Sequence, residues 1–293
     1  MKSAIQIYLS VLFLISLGHM ACASTVKAGS IYKGTVSTLQ EVSLESLVKS
    51  LPPGAIAIVS EQHTYQPHNE NQIRFLEALA TSGASAISVG MEFLNRPFQK
   101  FVDGFLAGIL TEPQFLKSVE WGGNPFDQYR RQVLFPRDHG GHTVALNAAK
   151  SLTSRISKVG IAGLSPDELA LIPQGFAVGN SAYFERFSEV MKDHVPAAAL
   201  QRYFEAQSVW DDTMALTAIE EIESHPQERL VIIVGDFHAQ YGGGLPDRLR
   251  TRGVVNLLTI SQVNVQGLSG SEADREVLPH SKWGARADAV WAE

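Results

Sequence analysis

The chain has 293 residues, a formal net charge of −6 and a hydrophobic content of 45%. This length and apolar fraction suit one large α/β domain with a sizeable core, and they exclude a chain that is mostly disordered. The acidic balance offers no basic patch or stripe of the kind that nucleic-acid-binding proteins present, so we expect no nucleic-acid partner.

Residues 1–23 are predicted to be an export signal. Lys2 supplies a short basic start, an apolar stretch runs from Ile5 to Leu17, and small residues surround Cys22. The apolar stretch is shorter than the roughly 20 residues that a membrane-spanning helix needs. Cys22 is the only cysteine and lies where a bacterial lipoprotein carries its lipidated N-terminal cysteine, although Ala21 and Ala23 would also serve an ordinary signal peptidase. We therefore expect an exported protein of the bacterial cell envelope, either anchored by a lipid on Cys22 or free in the periplasm.

The mature chain, in order, begins with a predicted edge strand at 31–36 and a small amphipathic helix at 43–51. The apolar run 54–60 then predicts a buried strand. A helix follows it, and Asn69 with Gln72 three residues later resembles the capping box that starts such a helix.

A second buried strand is predicted at 86–91, and a third interior strand at 143–146. The segment 96–141 between them has no strand pattern and is rich in aromatic residues at helical spacing, so we expect a helical insertion that packs on the sheet. Tyr129 differs from the other rings of this segment because charged residues surround it. A second excursion at 165–223 combines a loop rich in proline and glycine with two helices.

One stripe of the second excursion mixes polar and apolar side chains. Gln207, Asp211 and Met214 follow helical spacing, and a plain core face would not include the first two. We expect this stripe to face a functional site.

The last part of the chain contains a buried strand at 230–235, a further strand at 254–260, and a final edge strand at 287–292. Residues 269–275 between the last two are predicted to be a polar loop.

Two of these strands end in the same way. Glu61 and His63 follow the first buried run, and Asp236 and His238 follow the run at 230–235. Because side chains two residues apart on a strand share a face, each end should present one acid–imidazole pair. Glu92 follows a third run. Since ligands bind outside the carboxyl ends of strands in open α/β sheets, we expect these five residues to meet at one rim of a mostly parallel sheet.

Several short motifs, taken together and in this order, resemble the ChaN family of haem-binding bacterial lipoproteins over residues 56–260. The motifs are Ser60-Glu-Gln-His63, Gly90-Met-Glu92 with Arg96-Pro97, Ala145-Leu-Asn147, the helix from Ala206 to Ala215, and Gly235-Asp-Phe-His238. Ser60 stands where the family has glycine. The same superfamily includes the Tiki and TraB proteins and is similar to erythromycin-esterase-like hydrolases.

The resemblance implies one α/β domain over residues 24–293 that binds ferric haem at its surface or at the interface of a homodimer. It also implies a role in haem or iron acquisition, with outer-membrane uptake machinery as a partner. The segment Phe126-Asp-Gln-Tyr129 resembles the family's tyrosine-bearing element, so Tyr129 is the first choice of iron ligand. Further haem contacts are expected from His63, His238 and Arg96, and the rival ligands are Tyr65, Tyr183 and Tyr241.

A hydrolase is the alternative interpretation, so whether the chain is an enzyme stays open at this stage. Neutral imidazoles and carboxylates can hold a divalent metal ion that acidifies a bound water. The metal ligands would be Glu61, His63, Glu92, Asp236 and His238, and all of these except Asp236 would be catalytic. Without a metal, Glu61 could act as a general base beside a histidine. A structural lipoprotein with a vestigial site is a third interpretation.

Overall fold

The computed structural model describes residues 26–35 and 38–293, so the predicted export signal and Cys22 lie outside the described residues. The described part of the chain forms one eight-stranded sheet and eleven α-helices. The strands are β1 (Ile31–Thr35), β2 (Thr38–Val42), β3 (Ile56–Glu61), β4 (Ile87–Asn95), β5 (Gly140–Asn147), β6 (Arg229–Gly235), β7 (Leu257–Val263) and β8 (Ala289–Ala292). The helices are α1 (Leu44–Lys49), α2 (Gln66–Thr81), α3 (Gln99–Leu106), α4 (Glu112–Ser118), α5 (Arg130–Leu134), α6 (Lys150–Val159), α7 (Pro166–Leu169), α8 (Ser181–Met191), α9 (Leu200–Ser224), α10 (Leu245–Thr251) and α11 (Gly270–Val277).

The sheet is mostly parallel, as the sequence predicts. Its strand order is β2-β1-β8-β7-β3-β6-β4-β5. Each neighbouring pair from β8 to β5 is parallel, whereas β1 runs antiparallel to both β2 and β8. The α/β class is therefore confirmed.

Helices cover both faces of the sheet, which explains why β3 and β6 read as continuous apolar runs. Side chains of β3 alternate between two cores. Val59 packs with Leu76 of α2 on one face, and Ile58 packs with Met214 of α9 on the other. Burial of one such aliphatic side chain stabilises the fold by about 1.5–3 kcal/mol. The two cores together hold the strand ends in a fixed position.

Three predictions about sheet edges are wrong. β1 is an interior strand because β2, which was not predicted, lies outside it. β8 was predicted to be an edge strand and lies between β1 and β7, whereas β5 was predicted to be interior and forms the other edge. The Gln99 side chain covers that edge, since its amide donates to the Thr143 carbonyl at 2.8 Å and accepts from the Ala145 amide at 2.7 Å. Because Gln99 protects this edge, β5 can have the apolar sequence pattern that is typical of an interior strand.

The polar segment 269–275 is helix α11 rather than a loop. Ser269 caps the helix and Glu272 returns the hydrogen bond, which is a complete capping box. No helix within residues 26–35 and 38–293 is both long enough and apolar enough to cross a membrane.

Candidate site at the strand ends

The carboxyl ends of β3, β6 and β4 are neighbours, and they bring four of the five predicted site residues into one connected group. Glu61 ends β3, Glu92 lies in β4, and His238 ends the short 3₁₀ turn that follows β6. His63 lies two residues after Glu61, in the turn that follows β3, and its imidazole contacts the Glu61 carboxylate.

Glu61 binds His63, Tyr129 and two side chains of α2 through hydrogen bonds. Its side chain is fully buried. Oε1 accepts hydrogen bonds from the Tyr129 hydroxyl at 2.5 Å and from His63 Nδ1 at 2.9 Å. Oε2 accepts from the side-chain amides of Asn69 at 2.9 Å and Gln72 at 2.7 Å. With four donors around it, the buried Glu61 carboxylate is placed to orient its neighbours, and its role as a general base stays a prediction.

The same contacts correct the predicted capping box. Helix α2 begins at Gln66, before Asn69, and both amide side chains turn inward to Glu61 instead of capping the helix. A carboxylate buried at the end of β3 needs donors, and α2 is the nearest element that supplies them. The signal that sequence reasoning missed is that Asn69 and Gln72 lie on the same helical face as the apolar residues Ile73, Leu76 and Leu79.

The two imidazole nitrogens of His63 have different surroundings: Nδ1 contacts Glu61, and Nε2 does not. A carboxylate only accepts, so the hydrogen shared with Glu61 belongs to Nδ1 in the neutral ring, and Nε2 carries the lone pair. Nε2 lies 4.0 Å from Glu92 Oε2, and the side chain is 42% exposed. Partial burial acts to lower the pKa of His63, but the hydrogen bond to Glu61 and the charges of Glu92 and Glu61 outweigh it and raise the pKa.

His238 is the buried counterpart of His63. Its Nδ1 lies 2.6 Å from Asp211 Oδ1 and its Nε2 lies 3.4 Å from Glu92 Oε1. Burial acts to lower the pKa of His238, yet these two carboxylates raise that pKa to about 10. In turn, although burial opposes it, the charges of His238 and His63 lower the pKa of Glu92 to about 2. Asp211 also accepts from the Tyr183 hydroxyl at 2.9 Å. Asp211 and Gln207 of the predicted stripe on α9 both contact His238, and that this stripe faces a functional site stays a prediction.

These contacts form a chain in which acids alternate with imidazoles and a phenol closes each end. The members in order are Tyr129, Glu61, His63, Glu92, His238, Asp211 and Tyr183. A metal cage requires several ligand atoms that converge on one point. Within the part of the chain that the structure describes, the strand-end acids and histidines do not form a set of three whose ligand atoms all lie within 4.8 Å of one another. We call this chain the strand-end relay: hydrogen bonds form its outer links, and Glu92 joins the two histidines through ion-pair contacts of 4.0 and 3.4 Å.

Asp236, the fifth predicted residue, is engaged elsewhere. Its Oδ1 accepts from the hydroxyls of Ser60 and Ser261, both at 2.5 Å, and its Oδ2 accepts from Arg286 Nη2 at 2.8 Å. The strand alternation stops at Gly235 because the chain enters a 3₁₀ turn. The predicted acid–imidazole pair of Asp236 and His238 therefore does not form, and Asp211 is the acid that pairs with this histidine.

Arg96, predicted to contact haem, is also outside the group. It forms an ion pair with Glu220 at 2.8 Å and lines a separate groove with Pro97 and Leu152. The structure brings it to the outer side of α9 rather than to the strand-end histidines.

A family model described as haem-binding uptake, Tiki superfamily, ChaN, matches residues 47–249. The chain belongs to the ChaN family. A solved structure described as cofacial haem binding to ChaN of Campylobacter jejuni is similar over 89% of this chain and 96% of that chain, with a TM-score of 0.65 and 14% identity. At this identity the similarity shows a shared fold.

Two more distant structures are also similar. An erythromycin esterase mutant, EreC in its open conformation, has a TM-score of 0.45 and 9% identity and covers 75% of this chain and 72% of its own. The type III effector HopBA1 has a TM-score of 0.45 and 11% identity, and the coverage is 85% of this chain and 92% of its own. Neither is close enough to bear on function. No match was found among curated proteins.

For a ChaN family member, the cleft outside the strand ends is the natural place to test whether the residues fit haem. The cleft has a volume of about 810 Å³, within the range of about 300–1,000 Å³ that is common for small-molecule sites. Apolar side chains and His63 line it together with polar groups. The apolar residues are Trp210, Phe237, Val263 and Leu268, the neutral polar ones include Gln240, Gln262 and Asn264, and the charged ones are Arg286 and the carboxylates Glu61, Glu92, Asp236 and Glu276. The features of this cleft that fit haem are its four apolar side chains and the imidazole of His63, which is a common ligand of haem iron.

The tyrosines of this ChaN family member are less accessible than the resemblance implies. Tyr129 is fully buried behind Glu61 and does not line the cleft. Burial and the Glu61 charge raise the pKa of Tyr129, so its phenol stays protonated. Tyr183 is buried in the same way against Asp211, whereas Tyr65 and Tyr241 are half-buried. Iron ligation by Tyr129 stays a prediction, and this arrangement disfavours it.

Proposed function

We propose that this protein binds ferric haem in the strand-end cleft and serves haem or iron acquisition in the bacterial cell envelope. Membership of a haem-binding uptake family supports the ligand class. The observation that carries the proposal is the orientation of His63, whose Nδ1 is held by a buried carboxylate while Nε2 stays free. Metal-ligating histidines in proteins commonly have this arrangement, because a carboxylate on the second nitrogen fixes the tautomer and raises the basicity of the first.

His63 is the better iron ligand in this proposal, and Tyr129 is its support. A Tyr129 phenolate would lie beside the buried Glu61 carboxylate, and the repulsion between the two anions opposes loss of the phenol proton. As a neutral phenol, Tyr129 donates to Glu61 and so helps hold His63 in place. Bound haem would supply a ferric iron, and His63 is the residue whose imidazole nitrogen would hold it.

The remaining members of the relay have supporting roles. Glu92 lies between the two histidines and, with Asp211, keeps His238 protonated, so a buried positive charge remains near the cleft. Arg286 is a second cation at the cleft, although Asp236 and Glu276 already pair with it.

We also propose that haem binding brings two copies of the chain together. The similar protein from Campylobacter jejuni binds haem cofacially, which requires two haems face to face. His63 is half-exposed, so a haem held there could meet a second one. Light scattering of the protein with and without hemin should show a monomer that becomes a dimer when one hemin is bound per chain. We further expect outer-membrane uptake machinery to be the physiological partner.

The test is a titration of purified protein with hemin, followed by visible spectroscopy, with a metal analysis of the same sample. His63→Ala should lower the affinity by about tenfold or more, which corresponds to a loss of about 1.4 kcal/mol or more. His194→Ala is the matched control, since His194 is an exposed histidine outside the cleft, and it should bind hemin as the wild type does.

Unchanged affinity and spectrum in His63→Ala would show that His63 is not the ligand, and Tyr129, Tyr65, Tyr183 and Tyr241 would be tested by substitution with phenylalanine. If wild-type protein binds no hemin but retains a divalent metal that is lost on His63→Ala, the metal-dependent hydrolase function would replace the proposal.

A further inference from the structure

A second group of histidines and acids lies at the opposite end of the sheet from the strand-end cleft. His142 is near the start of β5 and Glu228 comes directly before β6, so both lie at the amino ends of parallel strands. Glu221 is in the last turn of α9, and His225 directly follows that helix. No sequence motif indicated this group, because its members come from three separate elements.

The four side chains converge in the way that the strand-end relay does not. One ligand atom from each residue can be chosen so that all four lie within 4.8 Å of one another. His142 Nδ1 lies 3.2 Å from Glu221 Oε1 and 3.3 Å from Glu228 Oε1, and His225 Nδ1 lies 3.1 Å from Glu221 Oε1. Zinc bonds of about 2.0–2.1 Å in a tetrahedron place neighbouring ligand atoms about 3.3 Å apart. The measured separations match that spacing.

The charges of the group also favour a bound cation. Glu228 is buried and Glu221 is nearly so, and in the described part of the chain neither forms an ion pair with a lysine or an arginine. Buried carboxylates are costly unless a positive charge or a metal ion compensates them. The two histidines are the sole ion-pair partners that these acids have among the described residues.

A hydrogen-bonded cluster without a metal is the plain alternative, and one detail weighs against it. His225 Nδ1 is buried and makes no hydrogen bond of acceptable geometry, although it lies close to Glu221. A nitrogen placed in this way is suited to offer its lone pair to a cation. Ser88 donates to Glu228 and accepts from the His142 backbone amide at 2.8 Å, so it fixes the positions of two of the four residues with or without an ion.

We propose that His142, Glu221, His225 and Glu228 form a zinc site. Two imidazoles and two carboxylates suit Zn²⁺ better than Mg²⁺ or Ca²⁺, which prefer six or more oxygen ligands. The bound ion would join the start of β5, the start of β6 and the end of α9. Since α9 also carries Asp211 and Gln207, the ion would fix the helix that supports His238.

The test uses the tag-free, full-length protein after treatment with a chelator, with Zn²⁺ alone as the probe. Competition with a chromogenic zinc indicator should show one Zn²⁺ per chain, bound at micromolar concentration or tighter, and Zn²⁺ should raise the melting temperature. His225→Ala, His142→Ala and Glu228→Gln should each weaken binding by more than about tenfold, since the loss of even an outer partner of a ligand costs about that much. Glu228→Gln retains the shape of the side chain and its contact with Ser88, so it separates charge from packing.

His194→Ala, which removes an exposed histidine elsewhere, should leave zinc affinity unchanged. Circular dichroism of each variant shows whether it is folded. The proposal would be overturned if wild-type protein takes up no stoichiometric Zn²⁺, or if folded variants bind it with wild-type affinity. Loss of Zn²⁺ from His63→Ala but not from His225→Ala would also overturn it, because the metal would then be at the strand ends. Hemin binding is measured separately, so its failure would leave this result intact.

Discussion

Glu92 lies between the two strand-end histidines, with Oε2 4.0 Å from His63 Nε2 and Oε1 3.4 Å from His238 Nε2. Glu92 belongs to β4 and His63 follows β3, and β6 separates those two strands in the sheet. The contact passes over Gly235, the last residue of β6, whose backbone amide donates to Glu92 Oε2 at 2.6 Å. A side chain at Gly235 would close this passage.

Gly235→Ala should therefore disturb His63. A Cβ atom at this position would lie 2.8 Å from both Cε1 and Nε2 of His63, so the imidazole has to move. We expect the variant to lose about 1–3 kcal/mol of unfolding free energy through overpacking and to bind hemin more weakly than wild type. Denaturant unfolding and hemin titration measure the two effects. Gly122→Ala is the control, since a Cβ there meets no atom closer than 3.7 Å. Wild-type hemin affinity in Gly235→Ala would contradict the placement of the ligand at His63.

Tyr129→Phe separates a supporting role from iron ligation. Removal of the hydroxyl takes one donor from the buried Glu61, and hydrogen bonds to charged groups contribute about 1.5–3 kcal/mol. We expect a loss of stability of that order, together with a hemin affinity that falls less than in His63→Ala. Tyr203→Phe is the control because this tyrosine is 37% exposed, and it should change neither the stability nor the hemin affinity. Unchanged stability with a lost hemin spectrum would instead support the phenolate ligand that the family resemblance implies.

The unfolding free energy should fall as pH rises above neutral. The pKa of His238 is about 10 in the folded protein against 6.5 ordinarily, so the folded state holds one more proton between these values. The stability that this proton contributes is fully present below about pH 6.5 and is lost as pH rises through about 10, with a slope of up to about 1.4 kcal/mol per pH unit. Urea unfolding between about pH 6 and pH 10 measures the slope. His238→Gln should flatten it, and an equal slope in both proteins would contradict the assignment.

The N-terminus of the mature protein tests the prediction of export. Mass spectrometry of protein from a bacterial envelope should show a diacylglyceryl group on Cys22 as the first residue, because the chain's sole cysteine lies at the predicted cleavage site. Cys22→Ser should release the protein from the membrane fraction. A wild-type N-terminus at Ser24 without a lipid would show ordinary secretion instead.

The sequence by itself determined the parallel core strands and the residues that end them. A buried strand has a continuous apolar run, and the point where the run stops is a local property, so Glu61 and His63 could be assigned to a strand end without a structure, whereas Glu92 lies within β4, which continues to Asn95. The two-residue spacing also predicted the contact between Glu61 and His63, although His63 lies in the turn that follows β3. The stripe on α9 gave Asp211 and Gln207 through helical spacing.

Only the tertiary structure decided which side chains that are distant in sequence contact each other. His238 and Asp211 are 27 residues apart in sequence. His238 pairs with Asp211 instead of Asp236 because of the 3₁₀ turn after β6 and the packing of α9. The burial of Tyr129 against Glu61, the protected edge at β5 and the group around His142 also depend on contacts between distant elements. Local sequence patterns report the face that a side chain occupies. They do not report its neighbour, because strand order and helix packing are set by the free energy of the whole core.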